Sequence, residues 1–305
     1  MKQVVIDKKE CTGCGICVQI CPYKAIAMTA GKAEFILDEC FLCGHCQAVC
    51  AVDAVTIDAL ESSFALVTVQ ETTEVVQPGQ YDIAGLVGLM RSRRSCRKYK
   101  DKVVTPAILK DLVKIGTTAP SGTNSQGWDF VLLPTRGEVL VLGELTAEYF
   151  RKLNKQARSR VLRGLMKIFG HDKLGQYYRN YHDSVAEALK EWDEQEIDRL
   201  FHGATACILV TGKHCASCPA EDALLASQNI LLAAHAMGLG SCLIGFAVEA
   251  MRRSPEMRKE MMLNEDEQIY SVIALGYPAV AYARPANRMS VESRIYSEHS
   301  QKMRL

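Results

Sequence analysis

Cys11, Cys14, Cys17 and Cys21 stand in CTGCGICVQICP, and Cys40, Cys43, Cys46 and Cys50 in CFLCGHCQAVCA. Both runs have the spacing C-x2-C-x2-C-x3-C, and their flanks repeat as well, CPYKAIAM against CAVDAVTI, so the pair is an internal duplication. Two-residue gaps turn three thiolates of one loop inward onto three corners of an iron–sulfur cubane. The fourth cysteine, three residues further on, points away and serves the other cluster. Cys11, Cys14, Cys17 and Cys50 are therefore expected to hold one [4Fe–4S] centre, and Cys40, Cys43, Cys46 and Cys21 the second. Gly13, Gly15 and Gly44 suit tight loops that present backbone amides to sulfur. A pair of zinc knuckles, or cysteines buried as small hydrophobes, is the competing reading, but zinc has no use for an exchanged fourth thiolate. His45, between ligands, is read as a neighbour that tunes the site by hydrogen bonding and not as a ligand.

Residues 1–60 resemble a bacterial two-cluster ferredoxin, with Ala51 where the usual proline follows the fourth cysteine. Modules of that kind carry single electrons and do no organic chemistry, so the rest of the chain should supply a redox partner.

The chain has 305 residues, long enough for a small domain and a large one. Its 36 basic and 35 acidic side chains leave a formal charge of +1, so no global field draws it to nucleic acid or anionic lipid, and any anion site must be local. MKQVVIDKKEC has only a short apolar run before charges resume, so no signal peptide is expected. Thiolate ligation of iron calls for a reducing compartment, which puts the expected location in the cytoplasm. Residues 223–248 lack Asp, Glu, Lys and Arg, but Gln228, Asn229 and His235 interrupt them and GLGS reads as a helix stop. They are expected to form a buried central helix followed by a core strand or loop, not a membrane span.

Residues 61–80 read as a linker with short β-rich pieces ending at Pro78-Gly79. Beyond it, residues 81–305 form the second domain. YDIAGLVGLMRSRR has helical periodicity, and PAILKDLVKIGTTAP is a second amphipathic helix with Thr105 as its cap and Pro106 in its first turn. DFVLLP, ACILVTG and QIYSVIALGYP are of strand type, and residues 145–201 are charged and mostly helical. The fold class is α+β: a small ferredoxin-like domain, then a mixed α/β domain with a helical core and a modest sheet.

RSRRSCRKYK at 91–100 offers forked guanidinium groups suited to a phosphate, although such a run alone also fits a solvated helix end. APSGTNSQGWDF at 119–130 is a loop dense in small polar residues. Taken in order, RRSCRKY, PSGTNSQGWDF, AAHAMGLGSCLIG and LGYPAVAYARPANR resemble the nitroreductase family of flavin enzymes over roughly residues 81–290. That resemblance implies a homodimer with one FMN per subunit in clefts at the dimer interface. It also implies that Arg93, Arg94, Ser95, Arg97 and Arg288 hold the FMN phosphate. Pro120, Ser121, Gly122 and Asn124 would line the isoalloxazine ring, from the partner subunit. Leu243, Ile244 and Gly245 would lie along its central edge, where a backbone amide can reach N5. Two departures from the family pattern are Ile244, where some relatives have an acid, and Ala281, near which many carry a base.

GLGSCLIG follows a helix and lacks a third glycine, so it is no dinucleotide fingerprint. Cys215 and Cys218, in HCASCP, read as incidental thiols or as a dithiol with Cys218 at a helix N-cap. Tyr177, Tyr178, Tyr181 and Trp192 either roof the flavin or pack down the helical stretch. The expected activity passes electrons from the clusters to FMN and on to a small electron-poor organic molecule, a nitroaromatic or quinone, with reduced ferredoxin or NAD(P)H as donor. Reductive dehalogenation, C=C reduction and electron delivery to a partner protein are the alternatives.

Overall fold

The computed structural model describes residues 4–296 apart from residues 62, 73 and 171. The duplicated cysteine runs fold as β1 (Val4–Ile6), α1 (Ile16–Ile20), β2 (Ile26–Thr29), β3 (Lys32–Phe35), α2 (His45–Ala48) and β4 (Val55–Ile57). β1 pairs antiparallel with β4, Val4 opposite Ile57, and β2 pairs with β3 as a hairpin. Val4, Ile26, Phe35, Val55 and Ile57 form a small core that the cysteine loops surround. Gly15 and Gly44, each at φ 74°, start α1 and α2 in the left-handed region that costs glycine little. A Cβ on Gly13 would collide with the Gly31 carbonyl oxygen, so that turn admits no side chain.

The rest of the chain adds α3 (Ile83–Ser92), α4 (Pro106–Gly116), β5 (Trp128–Leu133), α5 (Arg136–Arg158), α6 (Arg160–Ile168), α7 (Lys173–Asn180) and α8 (His182–Gln195). It closes with β6 (Ala206–Lys213), α9 (Pro219–Ala236), β7 (Gly240–Leu243), α10 (Gly245–Arg253), α11 (Pro255–Glu260) and β8 (Glu267–Gly276). The expected start signals operate locally. The Thr105 hydroxyl accepts from the Ile108 amide with Pro106 opening α4, and Thr135 and Glu138 close a capping box on α5.

Four strands make one antiparallel sheet in the order β5-β6-β8-β7. Side-chain alternation along β6 feeds two cores. Cys207 and Leu209 join Leu133, Leu142, Phe150, Phe201 and Met251 on one face, while Ala206, Ile208 and Val210 join Leu109, Leu112, Ile230 and Leu231 on the other. β6 is therefore apolar without a break because both faces are covered, by α5 and α10 on one side and by α4 and α9 on the other. Each fully buried leucine contributes about 1.5–3 kcal/mol. The uncharged stretch 223–248 becomes α9, packed on the sheet, and then β7. Among the described residues no helix is long and apolar enough to cross a membrane.

The residues between Ile57 and Ile83 differ from expectation: no described residue there is in a strand. The segment is instead tied down by polar bonds to α4. Asp111, buried on that helix, accepts from the amides of Val67 (2.9 Å) and Thr68 (2.6 Å) and from the Thr68 hydroxyl (2.5 Å). Lys114 donates to the Phe64 carbonyl at 3.0 Å and pairs with Glu61 at 3.2 Å. β-branched residues gave the segment its strand-like composition, yet a carboxylate on a neighbouring helix took the amides that a ladder would have used.

Burial works against ionisation of Asp111, but the Thr68 hydroxyl, the two amides and Lys114 together hold its carboxyl below the usual range. Its contribution is thus complete above the unfolded carboxylate value, about pH 4, and is lost as pH falls through the lower folded value. Asp111→Ala should destabilise the chain by about 1–3 kcal/mol in urea titrations. It should also open residues 64–80 to proteolysis, and unchanged cleavage there would show that the tether is not held by this carboxylate.

Candidate cofactor sites

Cys40, Cys43, Cys46 and Cys21 line one small cavity together with Phe41, Leu42, His45, Ile26 and Ile57. The fourth thiol of the first run therefore stands among the three of the second. Burial raises the Cys46 thiol above its ordinary value; the Gln47 amide opposes this, while Cys43 and Cys21 push the same way. In the other loop burial raises Cys17, the Val18 amide opposes it, and Cys11 and Cys14 add to the rise. Iron would reverse that cost, because the thiolate is the ligand.

Backbone amides already point at sulfur: Ala25 to Cys21 at 3.3 Å, Leu42 to Cys40 at 3.4 Å and Ala54 to Cys50 at 3.2 Å. Such donors stabilise thiolate charge. Among the described residues no three of His, Cys, Asp or Glu close around a point where one metal ion could sit. The four thiols ring a cavity instead, a donor set that fits a cluster. Phe41 and Tyr23, with ring centroids 4.6 Å apart, line it as well.

The arginines gather at the end of α3. Burial and then the neighbouring guanidiniums of Arg288 and Arg94 push Arg93 below its ordinary value. Burial raises the Cys242 thiol, while Arg97, the Ser95 hydroxyl and Arg93 pull it down, which sets this thiol among the cations. Ser95 lies beside Ser241 of β7 in an isolated bridge, and the Cys96 amide donates to the Ser241 carbonyl at 2.9 Å. Gly240 must be glycine, since a Cβ would meet Cys96 at 2.7 Å. Among the described residues none of Arg93, Arg94, Arg97 and Arg288 forms an ion pair. Like charges held together without acids are a site for an anion, and a phosphate fits them. Sequence reading passed over Cys242, whose only signal was its place at the end of GLGSC.

Leu243, Ile244 and Gly245 divide their roles. Ile244 is buried and its amide donates to the Val272 carbonyl at 2.8 Å, so that amide is spent. Leu243 is exposed, and the Gly245 amide, in the first turn of α10, has no acceptor among the described residues. Of the trio, Ile244 is the residue whose amide is already bonded.

The loop Pro120–Asn124 is built by different residues. Asp222, buried in the first turn of α9, accepts from the Gly122 amide (2.9 Å) and the Ser125 hydroxyl (3.2 Å). Thr123 and Ser217 hydroxyls lie 2.7 Å apart, and a side chain on Gly122 would strike Cys218. Cys218 is the N-cap residue of α9 and makes no cap bond there. Asn124 reaches outward: its Nδ2 donates to the carbonyls of Phe41 (3.0 Å) and Leu42 (3.1 Å), in the loop between Cys40 and Cys43. Asp222 and this contact had no motif to reveal them.

The structure therefore joins the arginines to β7 and the 120–124 loop to the second cysteine loop, but it does not join the two groups. Arg93 and Arg94 border His235 at the C-terminal end of α9 and the loop bonds Asp222 at its N-terminal end, so most of that helix, 18 residues or about 27 Å long, lies between the two contacts. They also belong to opposite edges of the sheet, β7 and β5, three strand spacings or roughly 14 Å apart.

Of the aromatic candidates, Trp192 donates to Glu144 at 2.7 Å and Tyr177 to Asn154 at 2.7 Å, both within the helical packing. Tyr178 lies under the Arg163 guanidinium. Tyr181 is exposed, its ring 6.0 Å from that of Phe246 beside Gly245.

A family model described as the nitroreductase family matches residues 90–277, and one described as a 4Fe-4S dicluster domain matches residues 3–51. The nitrobenzene nitroreductase of Ectopseudomonas oleovorans is 23% identical over 217 residues, covering 67% of this chain and 90% of that protein. The 4-nitrobenzoate reductase of a Nocardioides species is 24% identical over 221 residues, covering 67% and 85%. Among solved structures, an FMN-bound nitroreductase from Bacteroides fragilis shares the fold, with a TM-score of 0.51 and 21% identity over 70% of this chain and 98% of its own.

Exchange of the fourth thiol can be read spectroscopically. Cys21→Ala and Cys43→Ala should abolish the same cluster signal in electron paramagnetic resonance and remove about half the iron, while Cys17→Ala abolishes the other. If Cys21→Ala instead matched Cys17→Ala, each run would hold its own cluster.

Proposed function

The chain belongs to the nitroreductase family, and we propose that it is an iron–sulfur flavoprotein oxidoreductase. Residues 1–60 would hold two [4Fe–4S] clusters, residues 61–80 would connect, and residues 81–305 would hold FMN. Arg93, Arg94, Ser95, Arg97 and Arg288 bind its phosphate, Leu243 and the Gly245 amide lie at the edge of its ring, and Pro120, Ser121, Gly122 and Asn124 line the ring. The flavin supplies conversion between one-electron and two-electron transfer. The chain's own groups bind and orient; no side-chain acid stands at Ile244, so the protons that the acceptor takes up come from water.

The observation that carries this reading is the direct bond from Asn124 to Phe41 and Leu42. It fastens the lining of one thiol-ringed cavity to a loop that the family resemblance puts against flavin. A small electron-poor organic molecule is the acceptor, and nitroaromatics come first, the class named for the two relatives from Ectopseudomonas and Nocardioides. The donor is reduced ferredoxin or NAD(P)H. A homodimer completes the flavin site, and the exposed Ile83, Val87 and Met90 on α3 with Leu224 and Leu225 on α9 offer an apolar surface for it.

Arg93→Ala and Arg97→Ala should each weaken FMN retention about tenfold to a hundredfold, the loss of one charge-assisted contact, with iron content unchanged. Dialysis followed by flavin and iron assays reads both quantities. Wild-type flavin occupancy in the double variant would sink the phosphate site. An oxygen-free titration with reduced ferredoxin, NADH and NADPH, followed by addition of nitrobenzene or a quinone, tests the electron path. Reduced enzyme that none of these acceptors reoxidises would remove the proposed substrate class.

A further inference from the structure

Resting on the flavin reading above, we infer that electrons cross between subunits: the clusters of one protomer reduce the FMN whose phosphate is held by its partner. A single chain places its phosphate arginines by His235 and β7, and its 120–124 loop on Asp222 and next to β5: opposite ends of α9, a helix about 27 Å long, and opposite sheet edges. One FMN does not bridge that separation. A flavin touched by both groups must take the arginines from one copy and the loop from another.

The cluster cavity travels with the loop. Asn124 binds the carbonyls of Phe41 and Leu42, which line the same cavity as Cys21, Cys40, Cys43 and Cys46. Asp111 and Lys114 hold the connector on α4 of the same chain. The second cluster is thereby fixed beside its own chain's loop and remote from its own chain's arginines. Its nearest flavin is the one anchored by the partner's Arg93 and the partner's Arg97. Balance is simple: two molecules of reduced ferredoxin are oxidised by one electron each, and the flavin gains two electrons with protons drawn from solvent.

Mixed dimers separate the two routes. Arg93→Ala/Arg97→Ala is placed in one chain and Cys43→Ala in the other, giving a crossed dimer. In the second preparation all three substitutions share one chain beside a wild-type partner. Each dimer retains one flavin site, so FMN content should be half that of wild type in both. Reduced ferredoxin is the donor, and flavin bleaching is followed optically against the Cys43→Ala homodimer as baseline. The crossed dimer should reduce its flavin near the wild-type rate, while the dimer carrying all three changes in one chain should fall to baseline. The reverse pattern, or equal rates, overturns the inference. Full FMN content in both would instead indict the phosphate site.

A second measurement needs neither flavin nor turnover, and it covers a cysteine variant that fails to fold. In FMN-free protein, Asn124→Ala should raise deuterium exchange across residues 40–46. Unaltered exchange there would remove the docking contact on which the route depends.

Discussion

The carboxylate of Asp222 is the constraint from which the functional geometry follows. It is almost wholly buried, and it holds Gly122 and Ser125 against the first turn of α9. The loop it grips is strained: Thr123, Asn124 and Gln126 all have positive φ, a conformation that costs a non-glycine residue about 1–2 kcal/mol. Two hydrogen bonds to a charged acceptor, about 1.5–3 kcal/mol each, are of the same size. The start of α9 adds its own attraction for a negative group. Local energy thus keeps Asn124 turned toward the cysteine loop when its backbone preference alone would not.

Much of the fold was legible because it rests on short-range chemistry. The cysteine spacing, the glycines with positive φ, the Thr105 cap and the apolar runs of β5, β6 and β8 each state a local requirement that survives folding unchanged. The apolar run of β6 marked it as a strand, and the structure adds that both of its faces are covered. The central helix was foreseen, and it runs from Pro219 to Ala236, between the 120–124 loop and the arginines.

What could not be read were pairings between distant residues. Nothing near Asp111 announces that it will take the amides of Val67 and Thr68, and β-branched composition pointed that segment toward strands. Asp222, Cys242 and the Asn124 contact are likewise properties of approach, not of spacing. Family likeness assigned Leu243, Ile244 and Gly245 as a group, and only the sheet register revealed that Val272 consumes the Ile244 amide.

The pinned connector has a consequence for kinetics. A free linker of some twenty residues would wander over roughly 25 Å and let the ferredoxin-like unit act as a shuttle that loads in one place and discharges in another. Asp111 and Lys114 remove that freedom, so the unit is held against α4. Delivery from it should then be insensitive to solvent viscosity and to protein concentration. On the proposed electron path, the slow, collision-limited event moves outward, to the encounter with the donor.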